Sequence, residues 1–74
     1  MYLNCIAYTP VGTFSGTISI AGGDEDSLIE ARDAMETTKL SYLVLFSGDD
    51  EILLPETVLA NSVLKFTIDD EPRK

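Results

Sequence analysis

The sequence predicts an α+β domain of order ββαβββ, with one helix packed on one face of a mainly antiparallel sheet. Three observations carry this expectation. Phe14, Gly16, Ile18 and Ile20 alternate with Thr13, Ser15, Thr17 and Ser19, which is the period of a strand with one dry face. Leu28, Ala31, Met35 and Thr38 fall in one stripe at helical spacing, with Ala34 at its edge. Tyr42-Leu43-Val44-Leu45-Phe46 is the single unbroken run of five apolar residues, and reads as a central strand buried on both faces.

Taken in order, residues 2–8 place Leu3, Cys5 and Ala7 on one parity and Tyr2, Ile6 and Tyr8 on the other, a strand with both faces at least partly covered. Thr9-Pro10-Val11-Gly12 has proline and glycine at the positions a type I turn favours, so the chain reverses into the strand that starts at Thr13. Ala21-Gly22-Gly23 ends that strand. Ser27 and Glu30 have the spacing of a capping box, in which hydroxyl and carboxylate satisfy free amides, so the helix is expected over 27–38. Ser47-Gly48-Asp49-Asp50 is a turn, and Glu51–Leu54 a strand that Pro55 stops. Residues 55–61 suit one helical turn, with Val58 and Leu59 tucked under. In the last strand, 63–69, Leu64, Phe66 and Ile68 face inward and Lys65 and Thr67 outward, which leaves 70–74 as a flexible tail. Phe14, Ile18, Leu28, Met35, Leu45 and Phe66 are the expected core.

A chain of 74 residues makes one domain, 1–69, because it buries only roughly 60–65% of its unfolded surface and cannot divide that between two cores. A 45% hydrophobic content and a mean hydropathy of +0.11 suffice for folding. Cys5 is the one cysteine, so an internal disulfide is impossible, and it reads as a small core residue. The start shows neither the basic region nor the apolar run of a signal peptide, and no stretch approaches the ~20 apolar residues of a membrane helix, which points to the cytoplasm.

Candidate chemistry is sparse. Gly22-Gly23 before a helix resembles a phosphate turn only superficially, because Asp24, Glu25 and Asp26 stand where a phosphate would sit. Asp49-Asp50-Glu51 and Asp69-Asp70-Glu71 lack the ligand alternation of a calcium loop, so no metal or other cofactor is expected. With no histidine and no carboxylate pair in a recognisable motif, the chain reads as non-enzymatic.

Charge is the remaining signal. Thirteen acids against five bases give a net charge of −8, and Arg73 and Lys74 at the C-terminal end account for two of those bases. Such a field repels nucleic acid and anionic membranes and favours basic proteins. Asp24, Glu25, Asp26, Glu30, Asp33 and Glu36 face only Arg32 in sequence. A helix dipole rewards acids in the first turn alone, and the Asp26–Glu30 pair at i,i+4 is mutually repulsive. The expected partner-binding residues are therefore Asp26, Ile29, Glu30, Asp33 and Glu36, with Asp49, Asp50 and Glu51. They suit an acidic DNA mimic, of the kind phage-encoded proteins use to occupy the DNA-binding surface of a nucleoid protein, restriction enzyme or polymerase. The alternative is a dimeric structural or assembly subunit whose acidity serves solubility. One helix cannot cover both faces of the sheet, so Tyr42, Val44 and Phe46 are the expected homodimer contacts unless the sheet closes as a barrel.

Overall fold

A computed structural model describes residues 1–72 and shows the α+β fold. Strands β1 (Tyr2–Thr9) and β2 (Gly12–Ile18) form a hairpin, followed by helix α1 (Glu25–Thr37). A second hairpin of β3 (Tyr42–Ser47) and β4 (Asp50–Pro55), the single turn α2 (Glu56–Leu59) and β5 (Val63–Asp69) complete the order. The five strands make one sheet, β4-β3-β2-β1-β5, and every pairing is antiparallel. The sheet is open: β4 and β5 are its two edges and do not pair with each other, so the barrel alternative does not apply.

Both tight turns follow from local chemistry. At the first, the amide of Val11 donates to Thr9 Oγ1 at 3.2 Å, and that hydroxyl donates to the carbonyl of Gly12 at 2.6 Å. At the second, Gly48 has φ +62°, the left-handed value that a two-residue hairpin reserves for glycine.

All the inward side chains predicted for the strands lie on the face that carries the helices. Register places Leu3, Cys5 and Ala7 beside Ile18, Gly16 and Phe14 on one side and Ile68, Phe66 and Leu64 on the other. Leu43 and Leu45 pair with Leu54 and Ile52 on the same face. Helix α1 lies over β1 and β5 and buries Leu28, with Ala31 and Met35 packed against the core; α2 lies by β3 and β4 with Val58 and Leu59 half-buried. Of the expected core, Ile18, Leu28 and Leu45 are buried, while Phe14, Met35 and Phe66 are half-buried at its margin. Ala34 and Thr38 are exposed, so the packing stripe of the helix is narrower than its sequence suggests. Cys5 is fully buried, and burial pushes its thiol up to about 11.

Three expectations are corrected. The strand containing Tyr42–Phe46 is second from the edge, and the central strand is β2. It is also buried on one face only: Leu43 and Leu45 are 4% and 0% exposed, whereas Tyr42 is 62% exposed and Val44 and Phe46 are half-buried. The reason is geometric, because both helices lie on one side and that parity has no layer above it. The helix begins at Glu25, three residues after Gly22, and its cap is Asp24 in place of Ser27. Asp24 prevails because its carboxylate accepts both the Ser27 amide (3.2 Å) and the Ser27 hydroxyl (2.7 Å), which leaves that hydroxyl engaged as a donor to Asp24.

The two hairpins meet along a narrow seam. Strand β1 pairs with each neighbour over seven residues, but β2 and β3 share only Thr17↔Phe46. Gly16 makes this contact possible, since a Cβ there would stand 2.9 Å from Leu45 Cβ and 2.9 Å from the Phe46 carbonyl oxygen. Backbone cannot yield as a side-chain tip can. Gly16→Ala is therefore expected to cost on the order of 1–3 kcal/mol in urea unfolding, while Gly23→Ala, with nothing within 4 Å of the new methyl, stays near wild type. Equal midpoints for the two variants would show that the seam does not constrain the fold.

Candidate functional site

Helix α1 presents its acids on the side away from the sheet. Burial of Leu28, with Ala31 and Met35 packed inward, turns Asp26, Glu30 and Asp33 outward, and all three are exposed along with Glu25 and Glu36. At ~1.5 Å rise per residue, Asp26, Glu30 and Asp33 follow one another at steps of ~6 and ~4.5 Å. Ile29 sits beside this row and is half-buried, so it offers an edge more than a full side chain.

Little neutralises the row. Arg32 Nε lies 3.6 Å from Asp33 Oδ1, and among the described residues no other cation reaches a carboxylate of α1. Lys39 is engaged elsewhere, with Glu56 Oε1 at 3.1 Å. The last turn carries no basic residue, and Glu36 stands there against the negative end of the dipole. Asp24 differs from its neighbours: hydrogen bonds from the Ser27 side chain and then the Ser27 amide hold its carboxyl below the usual carboxylate value. It is committed to capping, so it adds charge to the row without being free to rearrange.

The second predicted cluster is dispersed by strand geometry. Asp49 is in the hairpin turn, Asp50 pairs with Ser47 on the helix-side parity, and Glu51 pairs with Phe46 on the opposite parity. These three carboxylates are exposed but diverge, and they do not extend the line of α1. Among the described residues, no three acidic or thiol groups converge closely enough to hold a metal ion.

Tyr42 and Val44 share the helix-free face with Ile6, Tyr8, Leu53 and Val63, and Phe46 stands at its end beside Thr17. Tyr42, Leu53 and Val63 are each more than 60% exposed. One part of that face is closed. Asn4 is 2% exposed, and its amide group donates to the Glu71 carbonyl at 2.9 Å and to Asp69 Oδ2 at 3.4 Å while its oxygen accepts from the Thr17 hydroxyl at 2.7 Å. Residues 69–71, expected in part as a tail, are thus tied over β1 at this point; Arg73 and Lys74 lie outside the described residues. Periodicity offered no sign of this network, because Asn4 occupies the outward parity and its partners in β2 and after β5 are distant in sequence.

Compared with known proteins, the chain matches no family model, no curated protein and no solved structure. No helix among the described residues is long and apolar enough to cross a membrane.

Proposed function

We propose that this chain is a non-catalytic acidic binding protein that places the carboxylates of α1 against the DNA-binding surface of a basic protein, in place of phosphates. The observation that carries the reading is the row Asp26, Glu30 and Asp33, exposed on a rigid element with a single weak cation contact. Conformational stability does not explain it. An exposed helix gains a few tenths of a kcal/mol from each Glu–Lys pair at i,i+4 and loses a similar amount from like charges, and this helix takes the unfavourable option at Asp26–Glu30. A duplex carries one charge per ~1.7 Å of axis, so one helix copies its density only coarsely. A second copy lengthens the array.

We infer that the second copy joins through the helix-free face. Two chains of net charge −8 repel most where their carboxylates cluster, and the helix-free face offers Tyr8, Tyr42, Val44, Leu53 and Val63 on its outer strands, with Thr13, Ser15 and Thr17 on the central one and Lys65, Glu51 and Asp69 among them. The principal extents are 32 × 27 × 16 Å, so the broad side of this slab, part of which residues 69–71 close, is at most the size of one half of a standard interface, roughly 800 Å² per partner. Pairing there leaves both acidic helices on the outside. The same face supports the rival reading, an assembly subunit in which this contact is the whole function.

Neutralising Asp26→Asn, Glu30→Gln and Asp33→Asn together should leave unfolding unchanged or slightly later, since repulsion on a solvated face is removed. The wild type is expected to release DNA from a basic nucleoid protein at low salt and the triple variant to fail, with the wild-type effect fading as salt rises. Equal competition by both proteins, or none by either against nucleoid proteins and polymerase, would favour the assembly reading. For pairing, light scattering at tens of micromolar should give about twice the 8.1 kDa chain mass, and Val44→Asp should restore the single mass. A wild-type monomer would exclude the dimer.

A further inference from the structure

Asn4 is buried where its strand gives no reason for burial. It lies on the helix-free parity of β1 between Tyr2, 42% exposed, and Ile6, half-buried, yet it is itself 2% exposed. No helix lies on that side, so its cover is the chain that follows β5. From the edge of the sheet, residues 70–72 turn back across β1: the Asn4 amide donates to the Glu71 carbonyl at 2.9 Å, and Pro72 borders the same hollow as Tyr2 and Thr17. Asn4 can hold this segment because the sheet fixes its carboxamide. The oxygen accepts from the Thr17 hydroxyl at 2.7 Å, and the nitrogen also reaches Asp69 Oδ2 at 3.4 Å. The segment itself has little else of its fold about it, since Asp70, Glu71 and Pro72 are all exposed and belong to no helix or strand.

We propose that residues 70–72 are a strap latched by Asn4, and that its opening, with β5 still paired, admits a second copy of the chain to the β1 side of the helix-free face. The proposal rests on the reading that copies pair through this face. Latched, the strap stands over Asn4 and parts Tyr2 from Ile6 and Tyr8, so a flat partner meets the strap before it meets the strand. It also sets Asp70 and Glu71 in front of that row, and two copies would bring four such carboxylates together. Opened, it leaves Tyr2, Ile6 and Tyr8 as one row along β1 and carries the repelling charges away. Local opening of this kind requires few buried apolar contacts, which an exposed three-residue segment satisfies. Pairing is then weakened by the fraction of chains that are closed, and freeing the strap removes that handicap.

The test uses the full chain, with amide relaxation to follow the strap and sedimentation equilibrium to follow pairing. In the wild type, the Asp70 and Glu71 amides are expected near the order parameter of a rigid backbone, about 0.85, and in Asn4→Ala below about 0.6, while the Cys5 and Phe66 amides keep their protection from exchange. Asn4→Ala should pair roughly three- to tenfold more tightly than the wild type. A second variant leaves Asn4 in place: Asp70→Gly with Glu71→Gly loosens the strap itself, and should pair more tightly than its charge-matched control, Asp70→Asn with Glu71→Gln. That pair of variants decides the matter if Asn4→Ala fails to fold. A strap already mobile in the wild type, one still rigid in Asn4→Ala, loss of protection at Cys5 and Phe66 in step with the strap, or pairing no tighter in the loosened variants would overturn the proposal. The pairing reading is judged separately. If the wild type and all variants stay single at tens of micromolar, that reading falls and takes the gate with it, whereas a dimer that Val44→Asp disrupts but a loosened strap leaves unchanged removes the gate alone.

Discussion

The close approach of β2 and β3 at Gly16 is the constraint on which the rest of this structure depends. Strands β2, β1 and β5 form a three-stranded unit, but the hairpin of β3 and β4 is two-stranded and alone at best marginally stable in water, so it needs the junction. They join through one register pair, and Leu45, fully buried, lies over the space where a side chain at position 16 would stand. That junction makes one five-stranded sheet from the β2-β1-β5 unit and the β3–β4 hairpin, and gives α1 and α2 a common surface to cover.

A one-sided sheet then sorts the chemistry. Apolar residues on the helix side are consumed by folding, and the carboxylates of α1 are pushed outward because Leu28, Ala31 and Met35 must go inward. The apolar residues of the other parity are left with no cover from their own chain. One surface is thereby charged, and the opposite one mixes exposed apolar residues on the outer strands with Thr13, Ser15 and Thr17 on the central strand. In a chain that buries only roughly 60–65% of its unfolded surface, apolar side chains left in water are a loss of stability.

Much of the fold was legible because the strands alternate cleanly: the faces of Phe14–Ile18 and Leu64–Ile68 follow from period two alone, as does the stripe of Leu28, Ala31 and Met35 from period 3.6. What was illegible depends on neighbours. An apolar run such as Tyr42–Phe46 states that its residues avoid water, not which of them obtain cover, and tyrosine tolerates a half-wet site. Strand order was equally hidden, since it rests on pairings between segments distant in sequence. At the helix start, Asp24 and Ser27 are both good caps, and the contest was settled by an interaction between them. The acidic row on α1 could be read from spacing; the network that ties residues 69–71 over Asn4 could not, because its partners are distant in sequence.

The placement of charge on α1 is most directly tested by zero-length carbodiimide coupling of the protein to a basic nucleoid protein at low salt, with the joined peptides identified by mass spectrometry. Such coupling links only carboxylates and lysines already in contact. Mimicry through the helix predicts links from Asp26, Glu30, Asp33 and Glu36, lost when salt is raised before coupling. Links from Glu56 or from strand carboxylates alone, or a pattern no denser on α1 than elsewhere, would contradict it.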